Sequence, residues 1–516
     1  MKKTRITSML LALCSIAPLS AKDYYISPSG NDANAGTKEA PYATLTKALN
    51  GIQPGDNIYI GGGTYKVTED WIMSRELDSN YAAVFNISAK GTESAPIGIY
   101  GVEGERPVFD LTDIKLTDRR VTVFYITGHY NYFKNFEVIG TQVRRKEPAK
   151  GSSQSEVFRI NGGNNNTMEN IAVHDGMAIG FYLIKGMNNL VLNCDVYNNY
   201  DDYSSDDGRG GNVDGFGGHV NSTSSTGNVF RGCRAWYNSD DGFDLINCFA
   251  AVTIENCWSF NNGYKPGTRT AAGDGTGFKS GGYGMADNPK VPNPIPQHIV
   301  RHCIAYYNLN KGFYANHHLG GIIFENNSAY QNPSNYCMLN RKSSAEVVDV
   351  PGYGHLIKNN LSHSPRSAGK HIIDVNQTEC EIVNNSFGPQ AVEVADADFE
   401  SLDPEQLTLP RKADGSLPDI TFMKPVDTSV NKLWGMGYFA DQVVIDYSWM
   451  QEAAIVIEGT TARVAGPGSE AFTKFYVNGQ EVEMNNQRVE LSSYSGSLEL
   501  KATTPNGGVA TLKIKR

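Results

Sequence analysis

Long hydrophobic runs are scarce in this sequence of 516 residues. Beyond residue 21, no stretch approaches the ~20 apolar residues of a membrane-spanning helix, so we expect no transmembrane segment. The first 21 residues carry Lys2, Lys3 and Arg5 before the apolar run Met9–Ala17, and they end in Pro-Leu-Ser-Ala. This arrangement is typical of a signal peptide that is cleaved after Ala21. We therefore expect an exported protein, located in the periplasm, on the cell surface or in the medium.

Cysteine is also scarce. The chain has eight cysteines, and seven remain once a signal peptide that contains Cys14 is removed. An odd number in an exported protein argues against a complete disulfide framework, so we expect free, buried thiols. A lipid anchor at Cys14 is the weaker alternative, because the bulky Leu13 precedes it where a small residue is usual.

Positive charge is in deficit. The sequence has 45 Lys and Arg against 55 Asp and Glu, a net charge of −10 that becomes −13 without the three basic residues of the signal peptide. An acidic chain argues against nucleic acid as a partner. If the substrate is also acidic, a cation must offset the repulsion between protein and substrate, and a divalent cation could bind both.

The sequence is rich in Gly (53) and Tyr (27), which is typical of a turn-rich β protein. From about residue 95 to 400 a short motif repeats, with intervals near 24 where no insert intervenes. Its central column is Asn135, Asn170, Cys194, Cys233, Cys257, Cys303, Asn327, Asn360 and Asn385. This period predicts a parallel β-helix with three short strands per coil. We expect the asparagines to form a ladder between coils and the cysteines to be small inward-facing fillers.

A second column consists of Gly-Phe pairs. They are Gly180-Phe181, Gly215-Phe216, Gly242-Phe243, Gly277-Phe278 and Gly312-Phe313. A phenylalanine on every coil predicts an inward aromatic stack. The fold class is therefore all-β: a right-handed parallel β-helix with a small C-terminal β-sandwich-like domain.

We assign residues 1–21 to the signal peptide, 22–440 to the β-helix domain and 441–516 to the C-terminal domain. Within the β-helix domain, 22–75 form an N-terminal cap with a short helix that covers the open end of the solenoid. Its apolar face carries Leu45, Ala48, Leu49 and Ile52. In the last domain, alternating patterns predict strands at 453–458, 475–477, 480–483, 497–502 and 510–514.

Carboxylates crowd around the central Gly-Phe pairs. Asp214 precedes one pair, Asp240 and Asp241 precede the next, Asp244 follows it, and Lys279 follows the pair after that. Neighbouring coils lie ~4.8 Å apart, so these residues should meet. Carboxylates so close require a counterion, and an oxygen-only set suits Ca²⁺. The alternatives are a structural Ca²⁺ site or a solvated acidic loop, although the nearby lysine weighs against both.

These motifs resemble polysaccharide lyase family 9, the pectate-lyase-like β-helix enzymes. The resemblance rests on the stretches 212–217, 233–244 and 277–282 and covers roughly 23–440. It implies a Ca²⁺ site at Asp214, Asp240, Asp241 and Asp244, with Lys279 as the Brønsted base. Such an enzyme removes the C5 proton of a uronate and leaves a 4,5-unsaturated product. The implied partner is an acidic plant cell-wall polysaccharide. We expect the protein itself to be a monomer.

The chain departs from pectate-lyase members of that family at several positions. It has Gly218-His219 where a basic residue is expected, and Tyr314 and His317 where an acidic or amide residue is usual. Homogalacturonan carries a carboxylate on every sugar, whereas rhamnogalacturonan I alternates galacturonate with neutral rhamnose. Fewer cations and more aromatic contacts favour rhamnogalacturonan I, with homogalacturonan as the alternative. We take Arg209, His219, Tyr314 and His317 as candidate substrate contacts, each with a plain packing or loop alternative.

Two other functions stay open at this point. A glycoside hydrolase on the same fold would use paired carboxylates as acid and base, but it would give Lys279 no role. A non-catalytic glycan-binding β-helix would tolerate loss of Lys279. The acidic run 201–209 is a solvated loop or, less favoured, a second Ca²⁺ site.

Overall fold

The computed structural model describes residues 21–145, 154–203, 210–283, 291–429, 432–440, 453–465, 469–485, 487–505 and 507–516. The predicted signal peptide up to residue 20, including Cys14, lies outside this part of the chain. Arg209 and the end of the acidic run 201–209 lie outside it as well. Among the residues that are described, no helix is long and apolar enough to cross a membrane.

Three parallel sheets form the walls of a β-helix. The first sheet consists of β1 (Asp23–Ile26), β2 (Asn57–Ile60), β5 (Ile97–Gly101), β8 (Asn131–Ile139), β10 (Thr167–His174), β12 (Leu190–Leu192), β15 (Asn228–Arg231), β18 (Val252–Glu255), β21 (His298–Arg301), β24 (Ile322–Glu325), β29 (Leu356–Lys358) and β32 (Glu381–Val383). The second consists of β3 (Thr64–Lys66), β6 (Val108–Asp110), the second halves of β8 and β10, β13 (Asp195–Tyr197), β16 (Arg234–Trp236), β19 (Trp258–Phe260), β22 (Ile304–Tyr306), β25 (Ser328–Tyr330) and β30 (Leu361–His363).

The third sheet carries the predicted site. It consists of β4 (Tyr81–Ile87), β7 (Arg120–Ile126), β9 (Glu156–Asn161), β11 (Ile179–Lys185), β14 (Phe216–Gly218), β17 (Phe243–Asp244), β20 (Phe278–Lys279), β23 (Lys311–Tyr314), β26 (Ser334–Cys337) and β31 (Ile372–Ile373). A short antiparallel pair, β27 (Asn340–Arg341) and β28 (Asp349–Val350), follows β26 in the chain.

The predicted phenylalanine stack is confirmed. The phenylalanines of neighbouring coils are register partners in the third sheet. Their rings stack with centroids 4.7 to 5.4 Å apart, from Phe158 through Phe313. All are fully buried. Because side chains alternate across a strand, the residue after each phenylalanine faces out.

The cysteine column is confirmed in part. Cys194, Cys233, Cys257 and Cys303 are free thiols buried in the core, and the column continues as a hydrogen-bonded asparagine ladder from Asn327. Asn135 and Asn170 were wrongly aligned with it, because the register places Cys194 beside Ile171 instead. Asn135 and Asn170 occupy the bend one position earlier, at φ 63° and 51°. Asparagine tolerates this left-handed conformation better than most residues.

A second asparagine ladder lies directly before the third sheet. Asn199, Asn238, Asn262, Asn308 and Asn332 are buried, and each side-chain amide donates to the Oδ1 of the next at 3.0 to 3.2 Å. Paired buried amides avoid the cost of unsatisfied polar groups. Asn238 precedes Asp240 by two residues, so the ladder fixes the turn that carries the acidic residues.

The N-terminal helix is present as α1 (Leu45–Leu49), with Leu45, Ala48 and Leu49 buried against the core. After β32 the chain becomes irregular and packs on the second sheet, where Leu407 and Phe422 share one buried cluster with Trp258 and Tyr306. This segment contains the 3₁₀ helices Gly388–Gln390, Asp396–Asp398 and Pro404–Thr408. Two further 3₁₀ helices lie outside it, Glu69–Trp71 near the N-terminus and Ser469–Ala471 near the C-terminus.

The C-terminal part forms two antiparallel sheets around one core. One sheet consists of β33 (Ala454–Glu458), β34 (Thr461–Ala465) and β37 (Arg488–Glu490), and the other of β36 (Gln480–Val482), β35 (Lys474–Val477), β38 (Ser497–Thr503) and β39 (Val509–Lys515). The β-sandwich-like prediction agrees with this arrangement. Strands β34 and β37 were not predicted, and the domain boundary at residue 440 stays a prediction.

Candidate active site

The outer face of the third sheet aligns one polar column. Asp244 is the register partner of Gly217 on one side and of Lys279 on the other, and Lys279 is the partner of Tyr314. Each follows a buried phenylalanine. The inward stack therefore determines which side chains face solvent, and it brings Asp244 and Lys279 together as the sequence predicted.

The acidic residues converge from two turns. Oxygens of Asp214, Asp240 and Asp241 lie within 4.8 Å of one another, and all three side chains are buried. Asp214 Oδ1 accepts the backbone N–H of Asp241 at 3.2 Å. Backbone N–H groups support the others: Asn212 and Asp274 donate to Asp240, and Thr276 donates to Asp241. These bonds hold the carboxylates in place despite their repulsion.

Lys279 is the basic group of the cluster. Its Nζ lies 3.0 Å from Asp241 Oδ2 and 3.1 Å from Asp244 Oδ2, and 16% of its side chain is exposed. Asp241 Oδ2 is buried, and no hydrogen bond with suitable angles reaches it from the described residues. The bend at Gly242 thus brings Asp241 and Asp244, three residues apart, to the same amine.

The proximity of these groups shifts their pKa values. Burial, with repulsion from Asp240 and Asp244, raises the pKa of Asp241 to about 8. Burial and the same kind of repulsion raise the pKa of Asp214 well above its usual value. Burial opposes ionisation of Asp244 too, but Lys279 and His219 outweigh it and hold its pKa below the usual range. Burial alone would lower the pKa of Lys279, but the four carboxylates raise it well above normal.

This donor set fits a hard divalent cation. Four carboxylates that cannot all ionise side by side become compatible when a cation lies among them, and Ca²⁺ accepts oxygen ligands in flexible geometry. Asp214, Asp240, Asp241 and Asp244 are the residues that would hold it. His219 lies at the edge of the cluster, since its ligand atom is within 4.8 Å of those of Asp214 and Asp244.

The candidate substrate contacts differ in their relation to the site. His219 lies in it: Nδ1 is 3.2 Å from Tyr182 Oη, and Nε2 is 3.7 Å from Asp244 Oδ2. Tyr314 is one coil beyond Lys279, with Lys311 Nζ 4.5 Å from its ring centroid. His317 pairs with Asp349 at 3.1 Å and does not border the cavity described below. Arg209 lies outside the described residues.

A cavity of about 530 Å³ opens above the cluster. Its walls include five of the residues predicted from the sequence, Asp214, His219, Asp240, Asp244 and Lys279. They also include residues that we did not predict for the site: Gln154, Tyr182, Asn212, Asn247 and Asp274. A signal existed for Tyr182, because it follows a Gly-Phe pair in the same column as Lys279. Asp274 lies three residues before such a pair.

Comparison with known proteins identifies the family. The model of a family described as Pel9A-like, right handed beta helix region, matches residues 24–360. The chain belongs to this family. A second model, described as rhamnogalacturonan lyase-like, C-terminal, matches residues 376–511 and so begins before the boundary that we predicted at 440.

Relatives cover most of the chain. Pectate lyase L of Dickeya dadantii (strain 3937) is 33% identical over 428 residues, which are 81% of this chain and 88% of that protein. Pectate lyase PEL9 of Emericella nidulans is 28% identical over 79% of this chain and 93% of that protein.

Two solved structures are also similar. A structure titled rhamnogalacturonan lyase is 53% identical, with a TM-score of 0.77, and the match covers 81% of this chain and 100% of that one. The structure of pectate lyase Pel9A is 30% identical, with a TM-score of 0.60 and coverage of 80% and 91%. The predictions of a right-handed parallel β-helix and of a polysaccharide lyase of this family are confirmed.

Proposed function

We propose that this protein is an exported, monomeric, calcium-dependent lyase that cleaves the galacturonate-containing backbone of rhamnogalacturonan I by β-elimination. The observation that carries the proposal is the position of Lys279. Its amine lies 3.0 Å from Asp241 and 3.1 Å from Asp244, two carboxylates of the preceding coil, and Lys279 lines a cavity on the third sheet. A lysine beside a cation cage suits a reaction that removes a proton next to a carboxylate.

In the proposed reaction, Lys279 Nζ takes the proton from C5 of a galacturonate. It does so in its neutral form, which a cation bound among the four carboxylates would favour by offsetting the negative charge that otherwise raises the pKa of the lysine. The C–H electron pair becomes the 4,5 double bond, and the bond from C4 to the glycosidic oxygen breaks. The leaving oxygen keeps the electron pair of the broken C4–O bond and is protonated from solvent. Asp241 and Asp244 position the amine. Bound Ca²⁺ would neutralise the substrate carboxylate and so stabilise the charge that develops at C5.

Several features support rhamnogalacturonan I over other uronate chains. The cavity offers one acidic cluster for a cation, and beside it lie Tyr182 and His219, an aromatic pair with ring centroids 4.9 Å apart. Tyr314 and His317 extend this surface on the next coil, with centroids 6.1 Å apart. One charged position flanked by aromatic groups suits a backbone in which only alternate sugars are charged. Arg209 remains a proposed carboxylate contact.

Homogalacturonan is the second candidate. It is favoured by the name pectate lyase that the curated relatives carry, whereas the 53% identical structure is titled rhamnogalacturonan lyase. Both substrates would give the same unsaturated end group, so the product does not distinguish them. Activity on the two polysaccharides must be compared directly.

The test is the ultraviolet absorbance of unsaturated product, with polygalacturonate and rhamnogalacturonan I backbone measured in parallel, each with Ca²⁺ and with excess chelator. We expect absorbance to rise on rhamnogalacturonan I in Ca²⁺ and to stay flat in chelator. A rise on polygalacturonate alone would transfer the assignment to pectate. No rise on either, from protein with an intact unfolding transition, would overturn the proposal. Sedimentation of the same sample tests the monomer.

A further inference from the structure

The polar column of the third sheet continues beyond the cavity. Arg159 is the register partner of Tyr182, Tyr182 of Gly217, and Gly217 of Asp244. Arg159 and Tyr182 each follow a buried phenylalanine, as Asp244 and Lys279 do. They therefore face the same side of the sheet. At ~4.8 Å per coil, Arg159 lies three coils, or roughly 14 Å, from Asp244 along this face.

Arg159 belongs to a group with surplus positive charge. Glu156 is completely buried, and its carboxylate is shared by Arg120, at 3.1 Å, and by Arg159, at 3.7 Å. Both guanidinium groups lie against the ring of Tyr81, at 4.2 and 3.8 Å from its centroid. Two cations thus share one anion. Nε and Nη1 of Arg159 are buried and have no hydrogen-bond partner among the described residues, while 13% of the Arg159 side chain is exposed.

Between this group and the acidic cluster, the two register positions of the column on the described strands, Tyr182 and Gly217, are uncharged. Gly217 presents no side chain, and a Cβ there would lie 2.8 Å from Cδ2 of Tyr182. The Tyr182 ring therefore leans across Gly217 towards the cavity, where its hydroxyl meets His219. The face thus has, in order, a basic group at Arg159, an aromatic surface at Tyr182 and Gly217, and the acidic cluster with Lys279.

We propose that Arg159 binds the carboxylate of a second uronate and that Tyr182, over Gly217, contacts the uncharged sugar between the two uronates. This inference rests on the proposed function and specifies its substrate: a chain in which charged and neutral sugars alternate. A partly exposed guanidinium whose positive charge is only shared with one buried carboxylate attracts a further carboxylate, and an aromatic face covers the apolar side of a neutral sugar. A chain charged at every sugar would place an unmatched carboxylate over Tyr182.

The test is calorimetric binding of oligosaccharides of increasing length from rhamnogalacturonan I and from homogalacturonan. The host is Lys279→Ala in Ca²⁺, which leaves the ligand intact. We expect affinity for rhamnogalacturonan I pieces to rise about tenfold or more once they reach a second uronate beyond the neutral sugar. Adding Glu156→Gln together with Arg159→Met, which leaves the net charge of the group unchanged, should remove this gain and leave the affinity for short pieces unchanged.

Arg231→Met is the matched control, since Arg231 pairs with Glu255 on the first sheet, and it should preserve the gain. If Arg159 had only a structural role, its substitution would weaken the binding of short and long oligosaccharides equally, and that result would overturn the inference. So would the absence of any length-dependent gain in Lys279→Ala itself, or an equal gain for homogalacturonan. The proposed reaction fails separately, if unaltered protein releases no unsaturated product while the binding gain persists.

Discussion

Lys279 and Asp244 are register partners on adjacent strands, and the lysine Nζ lies 3.1 Å from the aspartate Oδ2. Stacked phenylalanines, Phe243 and Phe278, fix this pairing from the other side of the sheet. The proposed base and one proposed ligand of the cation site therefore cannot shift independently of the core. Slipping either strand by one residue would turn its phenylalanine outward.

Lys279→Ala should lower the rate of unsaturated product formation by about a hundredfold or more, because no other described amine lies among these carboxylates to take the C5 proton. Initial rates of ultraviolet absorbance measure this. Lys358→Ala, on the outer side of the first sheet, where Lys358 pairs with Glu325, should leave the rate unchanged. If Lys279→Ala retained a tenth of the normal rate, the amine would not be the base.

Asp240→Asn should weaken Ca²⁺ binding by about tenfold or more, since the site loses one ligand charge. The fold should tolerate the change, because the remaining amide oxygen still accepts a backbone N–H from Asn212 or Asp274. Calorimetric titration of Ca²⁺ into chelator-treated protein gives the affinity. Asp419→Asn is the control, with 91% of the Asp419 side chain exposed. Equal affinities for Asp240→Asn and unaltered protein would remove Asp240 from the cation site.

Part of this site could be predicted because the repeat fixes its own register. Phenylalanine must be buried, so the residue after each Gly-Phe pair faces out, and Asp244 and Lys279 follow directly. Asn135 and Asn170 were misaligned because asparagine serves two adjacent columns, one in the bend and one in the buried ladder. Only the backbone conformation separates these roles.

Other contacts were not predictable because side chains reach across coils. Tyr182 enters the cavity only because Gly217, on the next coil, leaves room for its ring. His317 stays a predicted substrate contact, but its pairing with Asp349, more than thirty residues later and 3.1 Å away, could not be read from the sequence. Pairs of this kind depend on loop paths that periodicity does not determine.

Tyr182→Phe should raise the KM for rhamnogalacturonan I about threefold to tenfold with a smaller change in kcat. The substitution keeps the ring over Gly217 but removes the hydroxyl 3.2 Å from His219 Nδ1, a hydrogen bond worth about 1 kcal/mol. His219 would then be free to turn away from the cavity. Steady-state kinetics measure the effect, with Tyr476→Phe in the C-terminal sheets as control. An unchanged KM would show that this hydrogen bond does not orient His219 for binding.

A buried carboxylate, Asp195, adds to the hydrophobic contacts that hold the irregular segment after β32 on the solenoid. Asp195 receives two hydrogen bonds from Arg234, at 2.8 and 2.7 Å, and two from Arg411, at 2.6 and 3.1 Å. Arg234 also donates to the carbonyls of Leu407 and Leu409. Burial opposes ionisation of Asp195, but Arg411 and Arg234 outweigh it and lower its pKa to about 2. The carboxylate therefore stabilises the docked segment as an anion.

Asp195→Asn should lower the free energy of unfolding at pH 7 by roughly 3–5 kcal/mol, because two buried guanidinium groups lose their counterion. The folded pKa lies below the unfolded value of about 3.9, so this stabilisation is complete above that value and declines as pH falls towards 2. The deficit of the variant should shrink by roughly 1 kcal/mol between pH 7 and pH 3. Urea denaturation of both proteins at the two pH values measures it. A deficit that is constant with pH would mean that Asp195 titrates alike in the folded and unfolded chains.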